Sequence, residues 1–71
     1  MKRVRINKIK VGDIISYDSR FWLVESVSSH CVSCETFGGS TYVHYIVKIH
    51  DCEDIFYTRY LTNSHRFYTV M

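Results

Sequence analysis

The residues best able to do chemistry here are three cysteines, four histidines, seven acids and nine basic side chains, spread over 71 positions. Cys31-Val32-Ser33-Cys34, with Cys52, His50 and His30 further along, offers the ligand types that zinc takes. Such a site needs four soft or borderline donors in a tetrahedron, and a Cys-x-x-Cys turn can supply two. The surroundings argue against it. The pair lies in a strand-like stretch with no Gly or Pro to tighten a knuckle, and strand positions three apart face opposite sides. His50-Asp51-Cys52 places its two ligands one residue apart, which is not a standard zinc spacing, and buried free cysteines are the commoner case. No metal and no other cofactor is expected. A redox pair at Cys31 and Cys34 lacks the helix start that lowers a thiol pKa. The odd cysteine count, and the absence of an apolar signal segment after Met1-Lys2-Arg3-Val4-Arg5, fit free thiols in a reducing cytoplasm.

Catalytic signatures are missing. The chain has no Gly-x-Ser-x-Gly, no His-Glu-x-x-His and no glycine-rich phosphate loop leading into a helix. Asp51, Glu53 and Asp54 gather carboxylates in one turn. Paired carboxylates can do acid–base work, but an exposed turn solvates them and a small domain offers little cleft. The reading is a non-enzymatic protein.

Charge points elsewhere. Lys2, Arg3, Arg5, Lys8 and Lys10 put five cations and no acid into residues 1–10, while the remaining 61 residues carry four cations and seven acids. A basic arm on a mildly acidic body suits an anionic partner; a solvated terminus or an edge strand guarded by cations is the plainer alternative. A second cationic feature lies in the stretch from Thr41 to His50. Alternation puts Tyr42, His44, Ile46, Lys48 and His50 on one face, and Val43, Tyr45, Val47 and Ile49 on the other. Aromatic rings can stack on bases while Lys and His meet phosphates. Tyr57, Arg59 and Tyr60 on the following strand could extend that surface. The plainer alternative is an ordinary amphipathic strand.

The elements that must position these residues are strands. The chain has no Ala, Gln or Pro and only two Leu, against eight Val, seven Ile, five Thr, six Tyr, four Phe and one Trp. The pattern predicts strands over 3–6, 13–17, 21–27, 31–37, 41–50, 55–60 and 65–70. Turns are expected at Val11-Gly12-Asp13, Asp18-Ser19-Arg20, Gly38-Gly39-Ser40, 51–54 and 61–64. The run from Phe21 to Val27 is too apolar for simple alternation, so it either crosses the sheet centre or carries a bulge. Seventy-one residues make one domain, 1–71, with the arm at 1–10. The expected fold is all-β: a small, bent sheet or barrel of five to six strands.

Residues 10–25, Lys10-Val11-Gly12-Asp13-Ile14-Ile15-Ser16-Tyr17-Asp18-Ser19-Arg20-Phe21-Trp22-Leu23-Val24-Glu25, resemble the start of the SH3-like, KOW-type domain of translation elongation factor P and its eukaryotic counterpart. That family opens with a Lys-x-Gly turn, a short apolar strand, and a strand bearing an aromatic residue before Val-Val-Glu. Gly12, Tyr17, Asp18, Trp22, Val24 and Glu25 follow that order. The resemblance spans roughly residues 8–60 and implies an SH3-like barrel of a kind that touches RNA, ribosomes or RNA polymerase. It stops short of the factor's activity. The family's modified lysine has no counterpart between Phe37 and Thr41, and the later nucleic-acid-binding domains are missing.

Two functions follow as expectations. The first is an interaction module that binds RNA, DNA or a transcription or translation machine. It would act through Lys2, Arg3, Arg5, Lys8 and Lys10 together with Tyr42, His44, Lys48, His50 and Arg59. The second is a small regulator of a host protein, of the sort a bacteriophage encodes, using strand-edge pairing and exposed Tyr or Phe anchors. No apolar run reaches the length of a membrane helix, so no membrane partner is expected.

Overall fold

The computed structural model describes residues 1–34 and 40–71. Among these, six strands follow in chain order: β1 (Lys2–Val4), β2 (Ile14–Tyr17), β3 (Arg20–Cys34), β4 (Ser40–Asp51), β5 (Thr58–Thr62) and β6 (Tyr68–Val70). One 3-10 turn, Ile6–Lys8, lies between β1 and β2. All pairings are antiparallel and the sheet order is β1-β6-β2-β3-β4-β5. The all-β expectation holds. Closure into a barrel does not occur, because β1 and β5 form the two margins of the sheet and do not pair with each other. Each margin is blunted: β1 is three residues long and carries Lys2 and Arg3, and β5 is five residues long.

Local chemistry sets the turns. Gly12 takes φ +93°, the left-handed region open to glycine, and donates its N–H to the Val24 carbonyl at 3.0 Å. Asp13 Oδ2 accepts the Lys10 N–H at 2.9 Å, which closes the same turn. Asp18 and Ser19 both have positive φ, 53° and 61°, the two-residue hairpin geometry whose twist matches the flanking strands. Trp22 Nε1 then donates to the Tyr17 carbonyl at 2.7 Å, fixing the indole beneath that turn.

The core lies on one face of the sheet. Trp22, Ile15, Val24, Val47 and Ile49 are its fully buried centre, with Ile6, Ile9, Leu61 and Tyr68 around them. Ile15 lies opposite Trp22, Val24 opposite Ile49, and Val27 opposite Val47. Val24 and Val27 share a face although they are three apart, because the register shifts by one residue at Glu25. The bulge option for the apolar run is the one the chain takes. The 3-10 turn and Ile9 cover this face, with Ile6 and Ile9 as the residues that reach the core.

Several boundaries differ from the sequence pattern. The strand expected at 3–6 is Lys2–Val4, and Ile6 lies in the 3-10 turn that carries it to the core. The strands expected at 21–27 and 31–37 are one strand. Ser28-Ser29-His30 pairs with Tyr45 and its neighbours in a ribbon where no core demands apolar side chains. The strand expected at 55–60 starts at Thr58. Asp54 holds residues 54–57 in a turn by accepting the Phe56 N–H on Oδ1 at 3.1 Å and the Tyr57 N–H on its carbonyl at 2.9 Å. The strand expected at 65–70 is reduced to Tyr68–Val70. The glycines of the Gly38-Gly39-Ser40 turn lie outside the described residues, and Cys34 opposite Ser40 is the last pair before it.

Removing the central ring tests this account. Trp→Ala in a packed core costs about 3–5 kcal/mol, against a total stability of roughly 0.05–0.15 kcal/mol per residue. Trp22→Ala is expected to lack a cooperative urea transition followed by circular dichroism, while Trp22→Phe keeps one at a lower midpoint.

Candidate nucleic-acid interface

The basic N-terminal residues do not form a free arm. β1 pairs with β6, Lys2 opposite Val70 and Val4 opposite Tyr68, so the alternation of the strand sorts the cations onto two faces. Lys2 joins Lys8 and Lys10 around a hollow of about 350 Å³ that also includes Val4, Asp13 and Val70. Arg3 and Arg5 lie over the ring of Phe67, with their guanidinium carbons 5.3 and 4.5 Å from its centroid. Arg5 also donates to the His65 carbonyl at 3.3 Å. None of the five has an acidic ion-pair partner among the described residues, and neither has Arg66, whose guanidinium lies 5.1 Å from the Tyr17 ring centroid.

The cations of the body are arranged differently. Arg20 pairs with Asp51, Lys48 with Glu25 at 3.5 Å, and Arg59 with Asp18 at 2.7 Å. Lys48 and His50 do share a face of β4, as alternation requires. Both reach the Glu25 carboxylate at the bulge, His50 Nδ1 at 3.3 Å, so this pair of cationic groups is already engaged. That hydrogen bond from His50, ahead of the Lys48 charge, holds the Glu25 carboxyl below its ordinary pKa. Arg59 corrects the sequence reading more directly. It lies opposite Ile49, on the core-side face, whereas Tyr60 lies opposite Lys48 on the other. Its guanidinium spans the rings of Tyr17 (5.2 Å) and Trp22 (5.8 Å) on its way to Asp18, and so closes the core. His44 packs edge-on against His30, its direct cross-strand partner, at 5.1 Å.

Tyr42 is brought to the basic segment. A groove of about 590 Å³ runs between the Arg5-Ile6-Asn7 segment, the Asn63-Ser64-His65 loop, and Tyr42, Val43 and Tyr45 of β4. Its floor is fixed by Asn63, which acts as one more rung of the sheet: Oδ1 accepts the Tyr45 N–H at 2.7 Å and Nδ2 donates to the Val43 carbonyl at 2.8 Å. The groove therefore joins one cation and two tyrosines over a stiff base. Chemically it can take a flat ring against tyrosine and a phosphate against Arg5.

Sequence reasoning missed Phe67, His65 and Tyr45 as members of this region. Phe67, just before a strand able to pair with the N-terminus, was the available signal. Arg66 lies elsewhere, beside Tyr17 in a hollow with Tyr60 and Tyr68. The zinc reading finds no support in the positions of the thiols. Cys31 lies opposite Val43 while Cys52 follows β4, nine residues away or roughly 30 Å at strand spacing. Among the described residues no group of three or more His, Cys, Asp or Glu could hold a metal ion; the side chain of Cys34 is outside them. No helix among them is long and apolar enough to cross a membrane. Comparison with protein-family models, with curated proteins and with solved structures finds no match to this chain.

Asp51 supplies the one buried charge among the described residues. It is 2% exposed, accepts the Glu53 N–H on Oδ1 at 2.8 Å and binds the Arg20 guanidinium through Oδ2. The Glu53 N–H first and Arg20 second hold its pKa below the ordinary 3.8. A depressed folded-state value means that its stabilisation is complete above the ordinary aspartate range and drains as pH falls toward the folded value. Thermal midpoints of the wild type should therefore begin to drop as the pH falls below the ordinary aspartate range, about 4. Asp51→Asn should melt lower at neutral pH, show a shallower acid decline, and approach the wild type at the acid end.

Proposed function

We propose that this chain is a non-catalytic interaction module that binds nucleic acid, free or within a transcription or translation machine, through the β1–β6 margin of its sheet. One observation carries the reading: Lys2, Arg3, Arg5, Lys8, Lys10 and Arg66 have no acidic partner among the described residues, while Arg20, Lys48 and Arg59 each have one. Cations left unpaired on a folded surface attract phosphate, and the release of its counterions drives association. The tyrosine-lined groove beside Arg5 adds an aromatic surface to the same region. The all-β sheet is compatible with the SH3-like, KOW-type resemblance of residues 10–25. That resemblance supports contact with RNA or its machinery without supplying a partner. The contact surface in this reading is Lys2, Arg3, Arg5, Lys8, Lys10 and Tyr42; Lys48 and His50 are engaged by Glu25, and Arg59 by Asp18.

A second reading, a regulator that binds a protein, is favoured by the tip between β4 and β5. Phe56 is 91% exposed, yet the Asp54 turn holds its backbone. Ile55 beside it is exposed too, and Glu53 and Asp54 immediately precede the pair. An exposed aromatic side chain on a held backbone, with two acids just before it, suits an apolar pocket rimmed by cations.

Fluorescence anisotropy with labelled single-stranded and duplex oligonucleotides decides between the two. On the first reading the log of affinity falls linearly with log salt, by roughly 0.7–0.9 per phosphate neutralised. Arg3→Glu/Arg5→Glu lowers affinity at least about tenfold and flattens that slope, while Phe56→Ala changes neither. Binding indifferent to both salt and charge reversal would remove the first reading and leave the Phe56 tip as the functional surface.

A further inference from the structure

We propose that two copies of this chain pair through the open edge of β3 into one continuous sheet with two-fold symmetry. The inference is independent of the nucleic-acid reading. β3 and β4 extend well beyond the body of the sheet, and the molecule measures 45 Å along its long axis against 25 and 18 Å. β2 covers the β3 edge from Arg20 to Leu23, and the Gly12–Asp13 turn continues as far as Val24. From Ser26 to Ser33 β3 pairs with β4 on one side, and no described residue pairs with its other side.

The direction of the backbone groups along that edge follows from Asn63. Because Asn63 binds the Tyr45 N–H and the Val43 carbonyl from the β5 side, those groups point away from β3. Tyr45 lies opposite Ser29 and Val43 opposite Cys31. In an antiparallel ladder, directly opposite residues that do not bond each other both turn their N–H and C=O outward. Val27, Ser29, Cys31 and Ser33 therefore present donors and acceptors on the free side.

The chemistry of the edge suits a second copy. Ser26-Val27-Ser28-Ser29-His30-Cys31-Val32-Ser33 contains no Lys, Arg, Asp, Glu or Pro, the residues that ordinarily guard an edge. No ammonium, guanidinium or carboxylate group is set against its own image by a two-fold axis. An axis normal to the sheet at His30 places Val27 opposite Ser33 and Ser29 opposite Cys31 of the other copy, so all four outward residues are satisfied at once. The bodies then lie at opposite ends of the paired ribbons, because β2 blocks further sliding in one direction. A two-stranded ribbon is marginal alone, and pairing would embed each one in a four-stranded sheet. An isologous pairing of this kind also closes, leaving no further edge of the same type.

Sedimentation equilibrium of the full chain in reducing buffer tests the proposal. At millimolar concentration the wild type is expected at twice its 8.4 kDa mass. His30→Glu, which sets like charges directly opposite across the axis, is expected at the single-chain mass with an unchanged circular dichroism spectrum. A second measurement fixes the register and does not depend on that variant folding. In a chain with Cys31, Cys34 and Cys52 changed to serine, His30→Cys should oxidise to an interchain disulfide, since opposite non-bonded residues lie about 4.5 Å apart at Cα. Val32→Cys in the same background should not. A wild type that stays at the single-chain mass, an open-ended series of larger species, or interchain oxidation at position 32 in preference to 30 would each overturn the proposal.

Discussion

The pairing of β3 with β4, and the one-residue slip at Glu25 within it, is the constraint on which the rest depends. Before the slip, Trp22 and Val24 face the core from even positions; after it, Val27 does so from an odd one. A straight strand would turn either the Trp22 end or the Val27 end outward. The slip keeps Val24 against Ile49 and Val27 against Val47, and β5 then follows with Leu61 opposite Val47. It also frees the Glu25 carboxylate to reach Lys48 and His50 on the other face. One extra residue thus sets the core and engages Lys48 and His50, which alternation alone would leave available.

A second theme is the pairing of arginine with aromatic rings at the rim of the core. Arg20 lies over Tyr57, Tyr57 packs edge-on against Trp22, and Arg59 bridges Trp22 and Tyr17. Each of these arginines ends on a carboxylate, Asp51 or Asp18. A domain this small buries only roughly 60% of what its unfolded chain exposes, so much of its core lies near solvent. Planar guanidinium groups can cover ring faces there while their charge stays in contact with water or an acid. Arg3 and Arg5 cover Phe67 in the same manner but end on no acid among the described residues, so their charge is left without a carboxylate partner.

Composition and alternation, both local properties, were enough to specify the all-β class, the hairpin turn at Asp18-Ser19, the turn at Gly12 and the two faces of β4. β-branched and aromatic side chains favour pleated backbone wherever they sit, and a period of two needs no knowledge of the partner strand. The partners themselves were beyond such reasoning. Whether Arg59 meets solvent or the core depends on where β5 begins, and that is set by Asp54 capturing the Phe56 and Tyr57 N–H groups. Whether Lys48 is available depends on a carboxylate 23 positions away along the chain. Tertiary structure alone decided that the basic N-terminus is a docked strand with its charges sorted onto two faces, and that β3 keeps one long side unpaired among the described residues. Each of these follows from which strand lies beside which, and strand neighbours are fixed by packing of the whole sheet, not by the residues next to them in sequence.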